Sequence, residues 1–130
     1  MESFTMTTIA TKIENSLLIV TVTGNITAKE LIAVVLEHYP TGNVKDVIWD
    51  LTNGSLQSIS KGGFKAIAQT SKMAVASGSR QSGKTAFVGS VDSEYKISRI
   101  YTVIAEVTGV PIKYNVFKSI EEARYWIDHN

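Results

Sequence analysis

Cysteine is missing from this 130-residue sequence. Its absence removes disulfides, thiolate nucleophiles and cysteine-based metal sites together, and it is compatible with the reducing cytoplasm in which the chain is expected to reside. An excess of one charge is also missing. Thirteen Lys and Arg stand against 12 Asp and Glu, a formal net charge of +1, so no strong field points to nucleic acid or an anionic membrane. No apolar run approaches the roughly 18 residues of a membrane span, so stable membrane insertion is not expected. Met1-Glu2-Ser3-Phe4-Thr5-Met6 has neither a basic region nor an apolar stretch and does not read as a signal peptide. The two histidines, His38 and His129, are isolated, and no carboxylates pair at ligand spacing, so no metal site is expected. Both lie near the ends of helical patterns, where a cation complements the dipole. There is no G-x-S-x-G elbow, no recognisable Ser-His-Asp order and no implied cofactor.

What is present describes one globular domain over 1–130, with its core at about 9–127: 44% of residues are hydrophobic and 19% charged. Ile9, Thr11 and Ile13 alternate with polar neighbours, and Leu17 to Thr23 is a β-branched run ended by Gly24; Glu14-Asn15-Ser16 can turn a hairpin between them. Thr27-Ala28-Lys29-Glu30 is a capping box with Ile26 and Leu31 as its staple, opening a helix whose inward face is Ala28, Leu31, Ile32, Val35 and Tyr39. Pro40 and Gly42 end it. Val47-Ile48-Trp49 is a buried strand closed by Asp50, and a loop from Thr52 leads to a second helix from about Ser60 to Ser77, with Phe64, Ile67, Ala68, Ser71 and Val75 inward. Ala86-Phe87-Val88 is the fourth strand. Asp92 or Ser93 caps a third helix with Ile97, Ile100, Tyr101 and Ile104 inward, which Gly109 and Pro111 stop. Ile112 to Phe117 is the last strand, and Ser119-Ile120-Glu121-Glu122 opens a short final helix.

The order β-β-α-β-α-β-α-β-α calls for an α/β fold: a single-domain sandwich with a mixed, mostly parallel five-stranded sheet, an antiparallel edge hairpin and four helices. One motif stands outside this scheme. Gly78-Ser79-Arg80-Gln81-Ser82-Gly83-Lys84-Thr85 matches G-x-x-x-x-G-K-[ST] at every required position. A phosphate-binding loop needs a strand before it and a helix after it, so that a helix N-terminus faces the phosphates. Here a helical pattern precedes the run and a strand follows it, so nucleotide binding is not expected. Arg80, Lys84 and Lys72 read as an ordinary charged surface.

Val47-Ile48-Trp49-Asp50-Leu51-Thr52 looks like the apolar strand ending in Asp-Leu-Ser of the STAS domain, the SpoIIAA-like family that includes anti-anti-sigma factors. Val116-Phe117-Lys118-Ser119-Ile120-Glu121-Glu122-Ala123 looks like that family's closing segment, and the element order resembles it from about Ile9 to Ile127. The match is nearest the divergent branch grouped with STAS and CRAL-TRIO-like lipid-binding folds. Anti-anti-sigma factors carry a phosphorylated serine in an Asp-Ser-Ser/Thr-Gly stretch about eight residues beyond the strand's Asp. The corresponding stretch here is Ser58-Ile59-Ser60-Lys61-Gly62-Gly63, which lacks the acidic residue and places Ile59 in the phosphoacceptor slot. Ser58 and Ser60 remain as phosphoacceptor candidates, and the altered pattern leads us to expect that the chemistry is absent and partner binding constitutive.

The resemblance carries over a functional surface rather than a reaction. That surface comprises Asn53, Gly54, Ser55, Ser58, Ser60, Lys61, Gly62 and Gly63, at the strand-to-helix edge where open α/β sheets bind. The leading expectation is a non-enzymatic regulatory or interaction module of the STAS type that binds a protein partner there; a homodimer is compatible with it. The alternative is a small carrier or sensor of an apolar or lipid-like ligand, with Phe64, Ile67, Ile97 and Tyr101 lining a pocket between the second and third helices. The other reading of the same loop is a solvated turn in which Ser58 or Ser60 is a helix cap.

Overall fold

The computed structural model describes residues 7–76 and 83–129. The elements are β1 (Thr8–Glu14), β2 (Leu17–Asn25), α1 (Ala28–His38), β3 (Asp46–Ser55), α2 (Lys61–Ala76), β4 (Lys84–Val88), α3 (Asp92–Thr108), β5 (Lys113–Phe117) and α4 (Ile120–His129). The strands form one five-stranded sheet in the order β1-β2-β3-β4-β5. β1 is antiparallel to β2, and every other pairing is parallel. This is the mixed α/β sandwich that the hydrophobic periodicity predicts.

The sheet order decides the layers. Each parallel connection steps to the adjacent strand in the same direction, and right-handed crossovers therefore put α1, α2 and α3 on one face. The main core lies beneath them, with Leu18, Val20 and Val22 of β2, Val47, Trp49 and Leu51 of β3 and Phe87 of β4 facing the helices. The opposite face is covered by α4, which seats Ala123 and Ile127 on Ile19, Ile48, Ala86 and Val88. Val47, Ile48 and Trp49 are consecutive and all buried because β3 is covered on both faces.

Tyr101 is the hub of the helical layer. Its ring makes edge contacts with Phe64 of α2, Phe87 of β4 and Tyr114 of β5, at centroid distances of 5.6, 5.5 and 5.9 Å. The Trp49 indole N–H donates to the Tyr39 hydroxyl at 3.2 Å, which satisfies a buried donor while tying α1 to β3. On the other side, Arg124 of α4 reaches Glu14 of β1 at 3.3 Å. Arg124, and then Lys12, hold the half-buried Glu14 carboxyl below its ordinary range.

Three features differ from the sequence-based expectations. First, β3 does not stop near Asp50. The β2–β3 register slips by one residue between Thr21 and Thr23, and pairing then resumes as Thr23↔Asn53, Gly24↔Gly54 and Asn25↔Ser55. Asp50 satisfies the irregularity by accepting from the Thr52 amide at 3.0 Å and hydroxyl at 2.6 Å. Gly54 permits the continued pairing, since a Cβ there would lie 2.6 Å from the Val22 carbonyl oxygen. Second, α3 is rotated from the expected stripe. Its buried residues are Glu94, Ser98, Tyr101, Thr102 and Ala105, whereas Ile97 and Ile104 are half-buried and Ile100 is exposed. The Tyr101 hub sets that rotation. Third, neither Asp92 nor Ser93 caps α3. Val91 is its N-cap, without a side-chain bond, and Asp92 instead pairs with Lys118 at 2.8 Å.

The α1 capping box forms as predicted: the Glu30 amide donates to Thr27 Oγ1 at 3.1 Å and the Thr27 amide to Glu30 Oε1 at 2.9 Å. The β1–β2 turn is Asn15-Ser16, with φ of +49° and +71°, the sign that a two-residue type I′ hairpin turn requires at both positions. Serine is strained in this conformation, so Ser16→Gly is expected to stabilise the protein by roughly 1 kcal/mol. Gly54→Ala is expected to cost roughly 1–3 kcal/mol through the Val22 clash. Urea denaturation of both variants checks these values.

Candidate functional site

The connection from β3 to α2 is a five-residue corner, residues 56–60, between Ser55 and Lys61. Leu56 and Ile59 point into the main core, so the corner is anchored at two points. Gln57, Ser58 and Ser60 are exposed between and beyond these anchors. The Ile59 amide closes the turn on the Leu56 carbonyl at 3.0 Å. Ser60 is the N-cap of α2, its Oγ accepting from the Gly63 amide at 3.0 Å. A phosphate on Ser60 would therefore have to replace that cap, whereas the Ser58 side chain faces solvent.

A residue that sequence reasoning missed holds the corner from behind. Glu94, in the first turn of α3, is 3% exposed. Its Oε2 accepts the Ser55 hydroxyl at 2.7 Å and its Oε1 the Leu56 amide at 2.9 Å. The Ser55 oxygen in turn accepts the Gln57 amide at 3.0 Å. The end of β3, the corner and α3 thus share one hydrogen-bonded unit. Gly89 allows it, because a Cβ there would lie 3.0 Å from both Glu94 Cβ and the Tyr95 amide nitrogen. An acidic residue in a first helical turn ordinarily reads as a dipole partner in water. The stripe Glu94-Ser98-Tyr101-Ala105, drawn through Tyr101 instead of through the isoleucines, is the signal that would have found it.

The expected surface is thereby divided. Asn53, Gly54 and Ser55 are strand residues, not loop residues, because the pairing with β2 continues through them. Ser58, Ser60, Lys61 and Gly62 share an exposed edge. The two adjacent glycines differ. A Cβ on Gly63 would meet Ile59 at 2.9 Å and Ala28 of α1 at 3.3 Å, so Gly63 serves helix packing. A Cβ on Gly62 would have Ser60 Oγ at 3.8 Å as its one neighbour within 4 Å, so nothing in the fold calls for glycine there.

Phe64, Ile67 and Tyr101 do converge, around an enclosed void of about 10 Å³ that Ser71, Thr85 and Tyr114 also line. That is the space of a single water, against roughly 300 Å³ or more for a small-molecule site. Ile97 lies apart, half-buried against the same core.

The Walker-like run falls largely on residues 78–82, outside the described residues. Its described end is unlike a phosphate loop: β4 begins at Lys84, and the described helix before the run is α2, Lys61–Ala76. The Lys84 ammonium donates to the Trp126 and Ile127 carbonyls at 3.1 and 2.9 Å, capping the C-terminal turn of α4. His129 stacks on Tyr125 at 4.1 Å, and His38 lies in the last turn of α1. Among the described residues, no helix is long and apolar enough to cross a membrane.

No protein-family model and no curated protein matches the sequence. Among solved structures, the chain is similar to an uncharacterized protein of the DUF3478 family from Shewanella loihica PV-4, described as having a SpoIIAA-like fold. The two share 17% identity over 97% of this chain and 98% of the other, with a TM-score of 0.57. The chain therefore has a SpoIIAA-like fold, in agreement with the resemblance carried by Val47 to Thr52 and Val116 to Ala123.

If Glu94 holds the corner, Glu94→Ala leaves the buried Leu56 amide without its acceptor. The expected cost is roughly 2–3 kcal/mol, with hydrogen exchange at Leu56 to Ser60 accelerated more than at Val47 to Trp49. Uniform acceleration through both segments would mean that Glu94 supports the whole sheet instead.

Proposed function

We propose that the protein is a non-enzymatic regulatory or interaction module of the STAS type, which binds a protein partner through the β3–α2 corner and the outer face of α2. The observation that carries this reading is the construction of the corner. Glu94, Leu56 and Ile59 fix its backbone from within, and the same arrangement turns Gln57, Ser58, Lys61 and Gly62 outward. A rigid backbone presenting exposed polar side chains binds with little ordering cost. The position, after a strand's C-terminal end in an open α/β sheet, is where such folds place their sites.

Binding in this reading is constitutive. Ser60 already serves as a cap, and Ser58 lacks the acidic neighbour of the anti-anti-sigma motif. The carrier reading has less support, since α2 and α3 would have to part well beyond the present void of about 10 Å³.

The test is photo-crosslinking in the native cells, with benzoylphenylalanine at Gln57 and, as control, at Ala10 on the opposite face of the hairpin. A single protein crosslinked from position 57 and not from position 10 is the expected result. Equal capture from both positions, or none from position 57, would reject the reading. Phosphopeptide mapping of the same material is expected to find Ser58 and Ser60 unmodified. Stoichiometric phosphate at either, with Ser58→Asp or Ser60→Asp switching capture, would show that binding is regulated.

A further inference from the structure

The rotation of α3 leaves an apolar stripe on the outside. Val107 is 84% exposed, Val103 54% and Ile100 45%, and Met73 of α2, beside them, is 75% exposed. α2 and α3 both return against parallel strands, so they lie side by side and run in the same direction. Between them is an open groove with two contiguous depressions of about 780 and 330 Å³. The α2 wall is Lys61, Lys65, Gln69, Lys72, Met73 and Ala76, one helical stripe at i, i+4, i+8, i+11, i+12 and i+15. Ile104 and Val107 supply the α3 wall.

Charge is distributed unevenly around this groove. α2 holds three lysines and no carboxylate. Lys72 donates to the Thr108 carbonyl at 3.2 Å and closes the groove at that end. Lys61 and Lys65 bond no carboxylate among the described residues. On α3, Asp92 is paired with Lys118 and Glu94 is buried, which leaves Glu106 as the outward carboxylate of that helix. Gly62 is exposed and lines the same depression as Lys61, Lys65 and Ile104. The fold has no use for a glycine there, and an approaching backbone does.

We propose that this groove receives an amphipathic helix of a protein partner, its apolar face on Met73, Ile104 and Val107 and its acidic edge over Lys61 and Lys65. The proposal rests on the reading of α2 as the partner surface and adds the partner's chemistry. The α2 stripe spans 16 residues, about 22 Å at helical rise, the length of four turns of a docked helix. A bilayer would use the apolar residues and the lysines, but it gains nothing from a bare backbone at Gly62. A second copy would set lysines against lysines if it docked by the same face.

The test is titration of the full ¹⁵N-labelled chain with a synthetic helix of about 18 residues, leucine on one face and glutamate on the edges. Its counterpart carries lysine for glutamate. Saturable amide shifts at Lys61, Gly62, Lys65, Gln69, Ile104 and Val107 are expected with the first peptide and not with the second. Lys61→Glu with Lys65→Glu should weaken binding about tenfold or more. Gly62→Gln should raise the thermal midpoint, glutamine being the better helix former, and still weaken binding about fivefold or more. Silence at about 1 mM peptide, an equal response to the lysine peptide, or shifts elsewhere would overturn the proposal. So would phosphatidylglycerol vesicles that bind the same residues unopposed by the peptide, or self-association that buries Met73 and Val107. If position 57 captures a protein while the peptide fails, the interaction module stands and this partner chemistry falls; if the peptide seats while position 57 captures nothing, the reverse holds.

Discussion

The parallel pairing of β2, β3, β4 and β5 in strict sequential order governs this molecule. Parallel neighbours cannot be joined by a tight turn, so each join is a long crossover, here a helix, and each crossover favours the same hand. Three helices are therefore forced onto one face, and the core between them and the sheet is where the large aromatic residues meet. Tyr101 touches Phe64, Phe87 and Tyr114, so a single side chain from α3 is in register with α2, β4 and β5 at once. Crowding three helices over five strands also leaves α2 and α3 with outward faces that, among the described residues, no further element covers.

The same constraint explains the polar interior of α3. A helix placed by Tyr101 must bury whatever lies on the Tyr101 stripe, and this stripe holds Glu94, Ser98 and Thr102. Glu94 is tolerated because it meets two donors, the Ser55 hydroxyl and the Leu56 amide. A buried amide at a strand end needs an acceptor, and none is available from the sheet once β3 turns away. The carboxylate thus links helix rotation, strand length and the shape of the candidate binding corner. Burying polar groups on α3 also turns Ile100, Val103 and Val107 outward, and so creates the apolar stripe beside the α2 lysines.

The two glycines of Gly62-Gly63 show how far sequence can be read. Both cost helix stability in the same way, and in sequence they are indistinguishable. Only the α1–α2 packing separates them, because it brings Ala28 and Ile59 against Gly63 and leaves Gly62 in open space. Likewise Ser58 and Ser60 are equal candidates in sequence, and the cap geometry assigns Ser60 to the Gly63 amide. The Walker-like run shows the opposite case. The pattern before and after it is the ground for expecting no phosphate loop, and the Lys84 contacts with α4 say what that lysine does in the fold.

By itself the sequence determined much of what depends on local chemistry, the α3 N-cap being the exception because Asp92 is drawn to Lys118. The Thr27–Glu30 capping box, the Asn15-Ser16 turn and the Gly109 helix stop each involve neighbours in the chain, and residue type alone sets them. The alternation of strand and helix patterns then determined the fold class. Tertiary structure decided the rest, because it depends on contacts between residues far apart in sequence. The extension of β3 through Ser55 required β2 to pair beyond Thr23. The rotation of α3 required Phe64, Phe87 and Tyr114 to surround Tyr101, which overrode the stronger hydrophobicity of the isoleucine stripe. The candidate surface was legible as a region, after β3 and along α2. Which of its atoms face outward was settled by Glu94, some 39 residues away from Ser55.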